Sequence, residues 1–170
     1  MDENFKKIGA YVDACREEVI YFWQELVNFQ AGSKEVGRVT QLIEQTKGRF
    51  EAEGFHCHLI PSAKAPVLVA VDGEERPGKP ILFGGHLDTV FPNGAYPENP
   101  FFIDKNGMAH GPGVLDMKGG DVMMLYIVKA LRHIGFDRHP IKIVLVGDEE
   151  IAHAGSGVEK IIEQEARGCQ

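Results

Sequence analysis

The six-residue run Ile141-Lys142-Ile143-Val144-Leu145-Val146 constrains this chain more than any other segment. Its length suits one strand, and apolar side chains at nearly every position leave no face for water. Such a strand belongs in the interior of a sheet with cover on both sides. Val67–Val71 and Ile81–Phe83 read as further strands. The turn-rich link between those two, Asp72 to Pro80, is too short for a crossover helix, so the two are expected to pair antiparallel. A fourth segment, Phe55-His56-Cys57-His58-Leu59-Ile60, alternates, with Phe55, Cys57 and Leu59 on one face and both histidines on the other. His56 and His58 are read as a solvated strand face, because no third ligand stands nearby.

Helices surround these strands. Phe5, Ile8, Val12, Cys15, Val19, Phe22, Leu26 and Phe29 recur at steps of three and four, the period of one amphipathic helix from Phe5 to Phe29. Its polar face mixes both signs of charge, which fits packing onto its own domain better than lying on a membrane. After Ala31-Gly32, Ser33 is placed to cap a second helix with Val36, Val39, Ile43 and Phe50 on one face, ending at Gly54. The region from Phe91 to His110 is irregular and dense in Pro, Asn and Gly. Gly111 to Gly120 then opens a helix that is apolar on several sides, and a last helix places Val158, Ile161 and Ile162 inward. The order predicts one α/β domain with a mixed sheet and helices on both faces.

With 170 residues, the chain can bury about 70% of the surface it exposes unfolded. A net charge of -7 without a Lys/Arg run excludes a nucleic-acid footprint. No apolar stretch approaches the ~18 residues of a membrane span, and the acidic start lacks a secretory pattern. Cys15, Cys57 and Cys169 are odd in number and far apart, so free thiols in a reducing cytoplasm are expected.

Chemistry concentrates at element ends. His86 and Asp88 follow the strand Ile81–Phe83 and its two glycines, and two residues of spacing lets them point the same way. His86 is a candidate metal ligand, with Asp88 taking its other ring N–H. Asp116 stands at a helix start, and Glu149-Glu150 follow the central strand. Singly, each is bland: a surface histidine, an N-cap, a solvated acidic turn. Together they gather where an α/β sheet places its active site. His, Asp and Glu are donors for zinc, manganese or cobalt. Adjacent Glu149 and Glu150 diverge in direction, so one can bind metal while the other takes a proton from water.

Gly84-Gly85-His86-Leu87-Asp88-Thr89-Val90, then Gly111-Pro112-Gly113-Val114-Leu115-Asp116-Met117-Lys118-Gly119-Gly120, then a buried strand ending Asp148-Glu149-Glu150, resembles the co-catalytic zinc metallopeptidases. That family includes glutamate carboxypeptidase, acetylornithine deacetylase, succinyl-diaminopimelate desuccinylase and peptidase T. The resemblance implies a three-layer αβα catalytic domain and two divalent ions, most simply zinc. It implies His86 on the first ion, Asp88 orienting that imidazole, Asp116 bridging both ions, and Glu150 on the second. Glu149 would be the general base, and the peptide Asp116–Met117 would be cis. The implied reaction is hydrolysis of an amide or peptide bond beside a carboxylate, in a small peptide or an N-acyl amino acid.

The family carries further ligands, a lid or dimerisation domain and a last histidine beyond the length of this chain. The expectation is therefore that residues 1–170 form the N-terminal portion of the catalytic domain, with an unfinished site, little activity and exposed apolar surface that favours self-association. Cys169 lies outside the motif, and His153 is expected on the wrong side of the last helix to serve. A contrasting reading is a naturally short, non-catalytic relative acting as a binding or interaction module.

Overall fold

A computed structural model describes residues 3–170; Met1 and Asp2, at the acidic start, lie outside the described residues. The elements are α1 (Glu3–Ala14), α2 (Arg16–Asn28), α3 (Val36–Ala52), β1 (His56–Ile60), β2 (Val67–Asp72), β3 (Ile81–His86), β4 (Phe102–Ile103), β5 (Ala109–His110), α4 (Gly119–His133), β6 (Ile141–Val146) and α5 (Val158–Ala166). Among the described residues, no helix is long and apolar enough to cross a membrane.

The main sheet has the order β1-β2-β6-β3. The pairs β1/β2 and β2/β6 are antiparallel, while β3 runs parallel to β6 through the α4 crossover. This is the mixed sheet expected, with β6 inside it. One correction concerns β2 and β3: they run in opposite directions but do not pair, because β6 lies between them. A short link fixes how far apart two strands can be, not which strand slots in between.

Successive side chains of β2 and β6 feed two cores. Leu68, Ala70, Ile141, Ile143 and Leu145 join the large cluster with α2, α3 and α4, where Phe22, Leu42, Phe50 and Leu125 are buried. Val67, Val69, Val144 and Val146 face the other way and pack on Val158, Ile161 and Ile162 of α5. Two covered faces explain why β6 alternates so little. His56 and His58 are exposed and Cys57 is buried, as the alternation predicts. Cys15, Cys57 and Cys169 are free.

Three local expectations change. The helix from Phe5 to Phe29 is two helices, broken at Cys15, although the apolar period runs through the break. Ser33 does not cap α3, whose N-cap is Glu35; its hydroxyl donates instead to the Thr89 carbonyl at 3.0 Å, tying the start of the helical layer to the loop after β3. Asp116 does not begin α4. It lies in a separate turn, Val114–Lys118, with extended backbone (φ -114°, ψ 101°), and α4 starts only at Gly119. The irregular stretch also contains a small hairpin, β4 with β5.

Candidate active site

Parallel pairing sets the site. His86 on β3 stands opposite Val146 on β6, and Leu87 N–H donates to the Val146 carbonyl at 2.9 Å. Both strands therefore end at the same level, and the segments leaving them meet there. His86 is buried, and its Nδ1–H donates to the backbone carbonyl of Asp88 at 3.1 Å, with the Asp88 carboxylate at 3.4 Å. The imidazole is thus oriented by Asp88, but through the main chain first. The Asp88 carboxylate, fully buried, accepts the backbone N–H groups of Glu149 and Glu150 at 3.2 Å each.

Asp116 arrives from the turn before α4. That turn is tethered to α2: Trp23 Nε1–H donates to the Val114 carbonyl at 3.0 Å, and the buried Lys118 ammonium donates to the carbonyls of Leu26 at 2.8 Å and Phe29 at 3.0 Å. The Asp116–Met117 peptide is cis, as the family resemblance implied. Gly113 adopts φ 70°, and a Cβ there would collide with Thr89, so only glycine suits this position. The result places Asp116 Oδ1 3.1 Å from His86 Nε2. His86 Nε2, Asp116 and Glu150 offer donor atoms within 4.8 Å of one another. Glu149 is exposed, with its carboxylate 3.8 Å from His86 Nε2. Of the five sequence-predicted residues, three form the cluster, Glu149 stands beside it, and Asp88 lies beneath.

Electrostatics point to a cation. Burial raises the Glu150 carboxyl above the usual carboxylate range; His86 offsets part of this, and Asp116, Asp88 and Glu149 add to it. Burial opposes charge on His86, but hydrogen bonds to Asp88 and Asp116 outweigh it and push the imidazole up to about 9. Burial opposes charge on Asp88 too, yet its contact with His86 holds it below the usual range. Carboxylates crowded about one imidazole, all hard or borderline donors, fit a divalent ion that would relieve their repulsion.

A cleft of about 330 Å³ opens beside the cluster. Its polar rim is His86, Asp116, Glu149 and His153, and Leu82, Val144 and Ile162 form its apolar wall. His153 therefore does not lie on the wrong side of the last helix. It sits in a left-handed turn before α5 that faces the site, where helical-face reasoning does not apply. Sequence reasoning also passed over Lys118 and Asp121, both almost fully buried. Lys118 was visible inside the Asp116–Gly120 motif, but a buried lysine carries no sequence signal of its own.

Carboxylates and an imidazole thus meet where the parallel strands of a helix-covered sheet end. The sequence profile described as Peptidase family M20/M25/M40 matches residues 82–170, and the chain belongs to that family. It is 29% identical to carboxypeptidase G2 of Pseudomonas sp. over 95% of its length, which is 40% of that protein. It is 32% identical to a succinyl-diaminopimelate desuccinylase of Rhizorhabdus wittichii over 70% of this chain and 32% of the relative. The fold superposes on the dipeptidase Dug1p of Saccharomyces cerevisiae with a TM-score of 0.81 at 19% identity, covering 99% of this chain and 39% of that one. The chain thus spans about two fifths or less of the length of these relatives.

Proposed function

We propose that the protein hydrolyses an amide or peptide bond next to a carboxylate, with His86, Asp116 and Glu150 as metal donors, Glu149 as general base, and Asp88 as the residue that orients His86. The observation that carries this reading is the convergence of three donor atoms within 4.8 Å at the ends of two parallel strands. In support of its finer part, curated relatives are named as a carboxypeptidase and a desuccinylase.

When bound, a divalent ion supplies positive charge that polarises a substrate carbonyl. The protein's own groups do the rest. Nδ1–H of His86 is held on Asp88, which keeps Nε2 as the donor atom facing the cluster. Asp116, beside His86 in the cluster, would be the carboxylate shared if two ions bound, with His86 and Glu150 as the other donors. Glu149, exposed at the cleft, takes the proton of an attacking water and returns it to the leaving nitrogen. Zinc suits this imidazole and carboxylate set best, with cobalt and manganese acceptable.

Were two ions bound, these three residues would give two donors to each, where catalytic zinc commonly has three. The reading therefore takes residues 1–170 as part of the catalytic domain, with weak metal binding and slow hydrolysis when alone. It includes self-association through apolar surface, supported by Leu115 and Met108, whose side chains stand in solvent. A reducing, cytoplasmic setting is supported by the free, buried Cys15 and Cys57.

Calorimetric titration of zinc into this chain and into a Glu150→Ala variant tests the reading. The expected result is saturable binding that weakens by about tenfold to a hundredfold in the variant. Equal affinity in both would overturn it.

A further inference from the structure

One side chain at the cleft has no part in the hydrolytic scheme, yet the fold grips it on every side. His153 Nδ1–H donates to Asp148 Oδ1 at 2.8 Å, and its backbone N–H donates to the Asp148 carbonyl at 3.0 Å. Its own carbonyl accepts from Ser156 N–H at 3.0 Å and Ser156 Oγ–H at 2.9 Å. Ala152 and His153 both adopt left-handed backbone, at φ 50° and 52°. Two consecutive non-glycine residues in that region are unfavourable and persist only where surrounding bonds over-determine them. Asp148 is 2% exposed and its second oxygen has no hydrogen-bond partner, so His153 is the one side chain this carboxylate holds. With Nδ1 turned to Asp148, the nitrogen that His153 brings to the cleft is Nε2.

We propose that His153 is a substrate-positioning residue whose Nε2–H holds a carboxylate of the substrate at the cleft. This deepens the proposed hydrolase function and rests on it. The cleft has a problem that His153 answers. Asp116 and Glu149 line it with negative charge, and no Lys or Arg is among the described residues that line it. Both nitrogens of His86 are already engaged, one by Asp88 and one by Asp116. Among the described residues lining the cleft, His153 is the side chain that brings a ring nitrogen not engaged by another side chain. Asp148 fixes the ring from below through Nδ1, at 2.8 Å. Beside it, Leu82 and Ile162 provide apolar surface for a hydrocarbon side chain.

Hippurate, an N-acyl amino acid, and its uncharged amide, hippuramide, are the probes, titrated calorimetrically into the full chain with and without zinc. His153→Asn retains an amide donor near the Nδ1 position and so keeps the Asp148 bond, but lacks Nε2. His153→Gln places its amide near the Nε2 position. The expected result is that hippurate binds about tenfold or more tighter than hippuramide. That preference disappears in His153→Asn, with zinc affinity and Tm unchanged, and partly returns in His153→Gln, where loss of the Asp148 bond lowers Tm but leaves zinc affinity unchanged. Equal binding of the two probes by the wild type overturns the proposal, as does a preference that survives His153→Asn. A variant that loses Tm and both probes alike marks a purely structural histidine and overturns it too. Because the probe comparison is read without zinc as well, it stands apart from the zinc titration that tests the hydrolase reading.

Discussion

The buried carboxylate of Asp88 accepts the backbone N–H of Glu150 at 3.2 Å, joining the segment after β3 to the turn after β6. The same carboxylate takes the N–H of Glu149, so one side chain positions both acidic residues. Removing it orphans two backbone donors and takes away the carboxylate beside the His86 ring, leaving Nδ1–H on the main-chain carbonyl alone. Asp88→Ala is expected to cost about 2–4 kcal/mol of stability and to weaken zinc binding by about tenfold or more. Urea unfolding and calorimetry check both. A variant with unchanged zinc affinity would place Asp88 in a structural role only.

Metal binding should depend on pH through His86. Its imidazole, pushed up to about 9 once its hydrogen bonds outweigh burial, carries a proton throughout the neutral range, and an incoming ion must expel it. Zinc affinity is therefore expected to rise about tenfold per pH unit from about 6.5 toward 9, with about one proton released per ion. In the metal-free protein the sign is opposite. A raised imidazole contributes stability that is complete below its unfolded value and is lost as pH rises through 9. Calorimetry in buffers of different ionisation enthalpy counts the proton. A flat affinity across this range would refute the coupling.

How much of this was legible depended on what each segment had to satisfy locally. β6 was readable as interior because both of its faces are covered, and the meeting of His86, Asp116 and Glu150 was readable because each stands at or next to the end of a regular element. The break at Cys15 was not, since the apolar period continues across it and only the tertiary path of α1 and α2 differs. Nor was strand order, because β6 comes from about sixty residues beyond β3 to separate it from β2. His153 was set aside as lying on the wrong side of the last helix because it belongs to a left-handed turn, where neither helical nor strand periodicity says which way a side chain faces.

Lys118 is the strut that holds the Asp116 turn on α2, and its ammonium is fully buried on two carbonyls. Lys118→Met keeps the volume but leaves both acceptors without this donor, so a loss of about 2–4 kcal/mol is expected, with weaker zinc binding as Asp116 loosens. Burial lowers this lysine to about 8, against the attraction of Asp121 and Asp88. Between pH 8 and its ordinary value of 10.5 the unfolded chain holds more protons, so stability from this group rises with pH across that window. Subtracting the variant's pH–stability curve from the wild type's should reveal that rise. Parallel curves would mean that the lysine is solvated.

Asp121, in the first turn of α4, is 1% exposed and neither of its oxygens has a hydrogen-bond partner. It sits under β3 so closely that a Cβ on Gly85 would overlap its carboxylate. Burial raises it well above the usual carboxylate range, although His86 and Lys118 pull the other way. A raised carboxyl holds more protons in the folded state than in the unfolded state, so its contribution to stability falls as pH climbs from about 4. Asp121→Asn removes the charge while keeping the shape. It should stabilise the protein by about 1–3 kcal/mol at pH 8 and make little difference near pH 4. Thermal unfolding at the two pH values is the check. A variant less stable at pH 8 would show that the ionised carboxylate, paired with the Lys118 charge, is what the fold selects at this position.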